Sequence, residues 1–305
     1  MKKHLFAAEQ GVCCKSIHES EIGGAMNPEN YNLRPLQLAI LDVFKVFAQI
    51  CEKHGFKYYA AYGTALGAIR HKGFIPWDDD FDVAMPRDDY NKLVKVVRNE
   101  LPEWTGFFRG GESKYSSIEI SRIVDIRPNQ IERLSSETHL DLKVAPFIDI
   151  FVLENVPRCI FDLSRIRREL KLWRLCQLWR YPEAGYSLGR KWLLPFVRFA
   201  GLLLSWKYRK TANNEDMMRL RDEICASVPR GEHAYEPVFF KCWEARLLPF
   251  KYLEPSRLVP FEDTSIRVAG SVEEILRIHY GDYMTLPPPE HRVPEHNLGC
   301  AWKHV

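Results

Sequence analysis

FKYYAAYGTALGAIRHKGFIPWDDDFDVAMPRDDYNKLVKVVRNEL, residues 56–101, carries the alternation on which the fold turns. Phe56–Tyr62 reads as a strand, Gly63-Thr64 as a tight turn and Ala65–Arg70 as a short helix. Phe81–Met85 reads as a second strand, and Asp88–Leu101 as an amphipathic helix with Tyr90, Leu93, Val94 and Val97 inward. Upstream, a helix is expected from Asn32: Asn32 caps it, Pro35 suits its first turn, and Gly55 ends it. Leu36, Ile40, Val43, Phe44, Phe47, Ile50 and Cys51 recur at helical spacing and give it one apolar face. Downstream, Ile118–Val124 alternates as a third strand, and Pro146–Leu153 (PFIDIFVL) is apolar on both faces, as a buried central strand should be. Strands alternating with helices predict an α/β or α+β layer.

Further along, Asn214–Ser227 reads as a helix, and strand-like pieces lie near Leu258–Pro260 and Ser265–Val268. Ser271-Val-Glu-Glu274 forms a capping box that opens a helix to Tyr280, with Gly281 as its stop. Pro287-Pro288-Pro289 forces an extended tail. The expected organisation is a loose tail over 1–30, a core over 31–157, a basic aromatic helical insertion over 158–230, and a C-terminal part over 231–305 that packs on the core.

The 305 residues are 46% hydrophobic and 27% charged, with a net charge of +3, which excludes disordered, collagen-like and coiled-coil classes. No apolar run approaches the roughly 20 residues needed to cross a bilayer, and Leu5-Phe6-Ala7-Ala8 is too short for a signal-peptide core. A cytoplasmic protein is expected. The eight cysteines show neither a C-x-x-C pair nor zinc-type spacing, and adjacent Cys13-Cys14 mark a modifiable tail.

Charge is unevenly spread. Residues 158–210 hold thirteen Lys and Arg against Asp162, Glu169 and Glu183, together with Trp173, Trp179, Trp192 and Trp206. Two readings fit: helices resting on an anionic membrane surface, or aromatics packed on the core beneath a solvated arginine face. WLLPFVRFAGLLLSW (192–206) is too short to span, being broken by Pro195 and charged at Arg198. No RNA-binding or helix-turn-helix signature accompanies these bases, so no nucleic-acid partner is expected.

The chemistry points to carboxylates. In a strand, residues i and i+2 share a face, so Asp80 and Asp82 present two carboxylates side by side while Phe81 faces the core. Their mutual repulsion is relieved by a divalent cation between them. Asp149, alone among Phe147, Ile148, Ile150 and Phe151, is an expensive unpaired carboxylate unless it shares that cation. Such a trio, with the Gly63-Thr64 turn leading into a helix whose first N–H groups meet a phosphate, is what metal-assisted phosphoryl chemistry needs.

The segment Tyr62–Tyr90 (YGTALGAIRHKGFIPWDDDFDVAMPRDDY) resembles the signature of the LicD family, the bacterial phosphocholine transferases related to fukutin and fukutin-related protein. Phe147-Ile-Asp-Ile-Phe151, Tyr280-Gly-Asp-Tyr283, Pro287-Pro-Pro-Glu290 and Arg292 extend the likeness over most of residues 32–296. The resemblance implies an α+β fold, a nucleotidyltransferase-type mixed sheet flanked by helices. It also implies a CDP-linked alcohol donor, commonly CDP-choline, that gives its phospho-alcohol to a cell-surface glycan, a lipopolysaccharide, teichoic acid or capsule, and releases CMP. Asp80, Asp82 and Asp149 would then be the catalytic carboxylates and the ligands of Mg²⁺ or Mn²⁺, with Asp78 standing behind them.

Gly63, Thr64, Arg70, Trp77 and Arg292 are the candidates for the donor and its phosphates, Arg70 through bidentate pairing. His71 and Lys72 read as a solvated basic turn, Asp79 as a solvated acid before the strand, and Trp77 as a brace of the metal loop more than a stacking surface. Arg292 and His296 follow the proline run, on a tail that can fold back over the site. The competing readings are a nucleotidyltransferase that attacks the α-phosphate of an NTP, and a non-catalytic, membrane-associated nucleotide- or glycan-binding protein.

Overall fold

The computed structural model describes residues 33–110, 120–127, 145–155, 195–196, 199, 202–203, 233–235 and 247–294. The tail over 1–30, the cap at Asn32, the helix over 214–227, most of the basic window and His296 lie outside the described residues.

The architecture is α+β. Helix α1 (Arg34–His54) leads to a short strand β1 (Tyr59–Ala60), then α2 (Tyr62–Arg70), β2 (Asp82–Pro86) and α3 (Arg87–Glu100). Strands β3 (Thr105–Phe108), β4 (Ser121–Asp125) and β5 (Phe147–Asn155) follow. A mixed sheet runs in the order β1-β2-β5-β4-β3, parallel only between β2 and β5. Strands β6 (His233–Tyr235) and β7 (Leu247–Pro249) extend it from the end of β5. A short helix α4 (Phe250–Leu253) precedes a separate hairpin of β8 (Arg257–Phe261) and β9 (Thr264–Val268), and helix α5 (Val272–Tyr280) comes last.

Helix α1 forms because its apolar residues fall on one stripe: Leu36, Ile40, Val43, Phe44, Phe47, Ile50 and Cys51 are all buried. Gly55 ends it at φ 66°, a left-handed stop that L side chains adopt only at a cost. The burial pushes the Cys51 thiol well above its usual pKa, so it behaves as a packed apolar group. Below α1 sits an aromatic cluster. Phe81 lies 4.7 Å from Phe44, 5.7 Å from Phe74 and 5.5 Å from Phe261, ring centre to ring centre. The hairpin therefore contributes to the main core through Phe261, as β9 lies against β1.

Four expectations need correction. The strand over Phe56–Tyr62 shrinks to two residues, and Gly63-Thr64 is no turn but the first turn of α2, because the chain enters the helix at Tyr62 with φ 41°. Ser271 stands before α5 without a side-chain cap; its carbonyl accepts the Ile275 N–H instead, and Glu274 faces Arg277 at 3.7 Å. The proline run is extended as far as Pro288 (φ −53°, ψ 148°) and then turns into 3₁₀ helix at Pro289–His291, so the expected extension stops one residue early. Strand β3 has no counterpart in the sequence reading.

Candidate active site

The acidic stretch is held from both sides. Phe81, buried in the aromatic cluster, anchors the position between Asp80, which is partly exposed in the loop, and Asp82, which is buried; β2 starts at Asp82 and not at Phe81 as expected, so the two carboxylates do not share a strand face. From α1, Gln37 donates its side-chain amide to the carbonyls of Ile75 (3.1 Å) and Asp78 (3.0 Å). Gln37 is a polar residue buried on the apolar face of α1, and these bonds are the reason it is tolerated there. They draw the loop down onto the helix, and Asp79 goes with it. The expectation of a solvated Asp79 is thus overturned: its exposure is 0%.

On the other side lies α2. The Thr64 hydroxyl, itself buried, accepts the Asp82 N–H at 2.8 Å, and the Ala61 N–H donates to the Asp82 carbonyl at 3.0 Å. Thr64 thereby fixes the backbone of β2 at its first residue. Gly63 approaches Asp78 so closely that a Cβ there would lie 2.7 Å from Asp78 Oδ2. The N-terminal turn of a helix favours an anion, and here the chain's own Asp78 carboxylate lies beside it.

Across the sheet, Asp82 and Asp149 are register partners on the parallel pair β2 and β5, and Arg122 on β4 is the register partner of Asp149 from the other side. Registered positions share a face, so the three side chains form a row. Arg122 donates to both oxygens of Asp149, Nε at 2.5 Å and NH2 at 2.9 Å, with its guanidinium 3.8 Å from the Phe147 ring centre. This corrects the argument that Asp149 is an unpaired carboxylate needing a cation. The cost of burying it is met by a bidentate arginine. Among the described residues no three acidic, His or Cys side chains converge as a metal-binding group. Asp80, in the loop before β2, and Asp82, its first residue, are the carboxylates that could hold a cation, and a pair of carboxylates with room for phosphate oxygens is a donor set that would suit Mg²⁺.

The remaining candidates separate in space. Arg70, Trp77 and Arg292 gather at the other end of α2. Arg70 donates through NH1 to the Tyr283 carbonyl (2.8 Å) and through Nε to His71 Nε2 (3.0 Å). The tail does fold back: Arg292 places its guanidinium 5.6 Å from the Trp77 ring centre and donates Nε to the Pro287 carbonyl at 2.9 Å. His71 meets Trp77 edge-on at 6.2 Å. Burial, then the Arg70 charge, holds the His71 imidazole below the usual histidine range, as its acceptor role toward Arg70 requires. His71 therefore belongs to this cluster and is not a fully solvated turn residue, whereas Lys72 is exposed.

Sequence reasoning missed three residues that build the site: Gln37, Arg122 and Glu262. Glu262, in the β8–β9 turn, accepts the Phe74 N–H at 3.0 Å and two bonds from Arg34, and thereby pins the loop before Trp77. Arg34 holds its carboxyl below the usual range, against the opposing effect of burial. The signals were present: a lone amide in an apolar stripe, and a lone arginine in one apolar strand to match a lone aspartate in another.

Comparison with known proteins supplies the family. A family model described as "LicD/FKTN/FKRP, nucleotidyltransferase domain" matches residues 55–154, the span from β1 through most of β5. The lipopolysaccharide cholinephosphotransferase LicD of Haemophilus influenzae is 30% identical over 272 residues, 87% of this chain and 96% of that protein. Uncharacterized proteins of Rickettsia prowazekii and Rickettsia typhi match only 60 residues, at 35% and 38% identity, covering 20% of this chain and 23% and 19% of theirs. With a match that runs almost the full length of both partners, this chain belongs to the LicD family.

Proposed function

We propose that the protein is a Mg²⁺- or Mn²⁺-dependent phosphotransferase that moves a phospho-alcohol, phosphocholine first, from a CDP-linked donor to a hydroxyl of a cell-surface glycan. The observation that carries this reading is the near-complete match to a lipopolysaccharide cholinephosphotransferase. The acceptor oxygen forms a bond to the phosphorus bearing the alcohol, the bond from that phosphorus to the CMP oxygen breaks, and the hydroxyl proton passes to the carboxylate cluster. Asp80 and Asp82 would hold the cation, which when bound neutralises charge on the phosphates. Phe81 and Thr64 keep those carboxylates in place, and Asp149, locked by Arg122, sits beside Asp82 in register. Gly63 lets the turn of α2 approach the acidic loop without a side chain between them.

The second reading, a nucleotidyltransferase acting on an NTP, is favoured by the description of the matching family model. Product analysis separates the two: CMP from a CDP-alcohol supports the phosphotransferase, and pyrophosphate from an NTP supports the alternative. Neither product with any donor leaves the non-catalytic binding protein.

The same proposal places the protein at the cytoplasmic face of a membrane. No helix among the described residues is long and apolar enough to cross one. Residues 195, 196, 199, 202 and 203 are helical, however, and their i, i+3/i+4, i+7 spacing is that of one helical stripe. On that stripe Phe196 is 69% exposed and Leu203 62% exposed. Arg198, Lys207, Arg209 and Lys210 adjoin it in sequence, the pairing of apolar and basic residues that suits an anionic lipid surface.

A further inference from the structure

Arg70 and Arg292 are drawn into one cluster around Trp77 and His71, yet every hydrogen bond that anchors them goes to a neutral acceptor: the Tyr283 and Pro287 carbonyls and His71 Nε2. Among the described residues neither guanidinium is ion-paired. Two like charges held near each other and partly withdrawn from water repel, and the arrangement becomes favourable when an anion enters between them. Each anchored arginine also keeps N–H donors that these bonds do not use, which is the fork that pairs with a phosphate or carboxylate.

The position of the cluster decides which anion. Thr64, which holds Asp82, and Arg70 lie six residues apart on α2, about 9 Å along the helix axis. Arg70 is tied by its NH1 and Nε to the tail and to His71, at the end of α2 away from Asp82. A diphosphate held at Asp80 and Asp82 meets the Thr64 end of α2, whereas Arg70 stands at its other end. A large glycan reaching the same carboxylates with one hydroxyl covers that distance readily.

We propose that Arg70 and Arg292 form an anion subsite, separate from the Asp80/Asp82 centre, that takes a phosphate or carboxylate group carried by the glycan acceptor. The C-terminal tail is thereby part of the acceptor site, since it supplies Arg292 and the Tyr283 carbonyl that holds Arg70. This inference rests on the phosphotransferase reading for the identity of the acceptor, but the existence of the subsite does not.

The test has two arms on the full-length protein. Inorganic phosphate is titrated calorimetrically in EDTA, so that no divalent cation contributes, into the wild type, Arg70→Gln, Arg292→Gln and Arg292→Lys. Binding in the wild type, weakened roughly ten- to hundredfold in each Gln variant, partly kept by Lys and undisturbed by Asp80→Asn, is the expected result. Equal binding in wild type and Arg292→Gln, or no binding in the wild type, overturns the subsite. Steady-state kinetics with CDP-choline then assign it: the loss in Arg292→Gln should fall on the acceptor KM. A rise confined to the donor KM assigns the anion to the donor and overturns the acceptor proposal. Absence of turnover in the wild type would defeat the phosphotransferase reading while the phosphate titration still decides whether the subsite exists.

Discussion

Replacing Arg122 by Met tests the physical account of the carboxylate row directly. The side chains of Arg122 and Asp149 are 9% and 7% exposed, and two hydrogen bonds join them at 2.5 and 2.9 Å. Removing one member of such a pair strands a buried charge, and the loss is about 3–5 kcal/mol, because desolvation of Asp149 is no longer offset. In a chain of this size each kcal/mol moves Tm by about 2–4 °C, so Arg122→Met should melt roughly 6–20 °C below wild type. Removing both charges, as Arg122→Met/Asp149→Leu, should recover most of that loss. Urea and thermal melts of the four proteins close a double-mutant cycle. Saturating Mg²⁺ separates this account from one in which a cation serves Asp149: the ion should not restore the single variant. A loss under about 1 kcal/mol, or a double variant no more stable than the single, would refute the reasoning.

Gly67→Ala offers a second check. A Cβ there would lie 2.5 Å from the Gly73 carbonyl oxygen, a backbone atom that cannot swing aside. The helix-propensity gain of about 1 kcal/mol should be outweighed by about 1–3 kcal/mol of overpacking, so a variant as stable as wild type in urea would contradict the packing. Acid stability should depend on Glu254. Burial opposes its ionisation most, yet Lys57, the Ser256 N–H and the Tyr59 hydroxyl together bring its pKa down to about 2. A depressed carboxylate stabilises the fold above its unfolded pKa of 4.5 and loses that contribution as pH falls toward 2. With 37% of the side chain exposed, the discounted effect is about 1–2 kcal/mol, and Glu254→Gln should flatten the stability profile in that window. Vesicles rich in anionic lipid should sediment the protein at low salt, and Phe196→Ser/Phe199→Ser should weaken this; indifference to lipid charge would remove the membrane proposal.

Periodicity and local chemistry made much of this legible. The apolar stripe of α1, the Gly55 stop and the burial of Phe81 follow from spacing alone, whereas the strand opens at Asp82 and leaves Asp80 in the loop before it. The entry into α2 did not, because it needs Tyr62 at φ 41°, a conformation no tyrosine advertises. Strand β3 escaped notice as four residues with Gly106 among them, held mainly by its partner β4. Asp79 was misplaced because its burial is imposed by Gln37, 42 residues earlier in the chain. Arg122 and Asp149 look like two unrelated charges until the strand register sets them side by side. Interactions fixed by register or by a distant helix are the ones a sequence hides.

The central claim is that Asp80 and Asp82 hold a cation on which a CDP-alcohol depends. Calorimetric titration of CDP-choline, CDP-ribitol, CDP-glycerol and CTP with Mg²⁺ into wild type and Asp80→Asn tests it most directly. Metal-dependent binding of one CDP-alcohol, lost in an Asp80→Asn variant that melts like wild type, is the predicted result. Equal binding with and without Mg²⁺, or undiminished binding in Asp80→Asn, would contradict it.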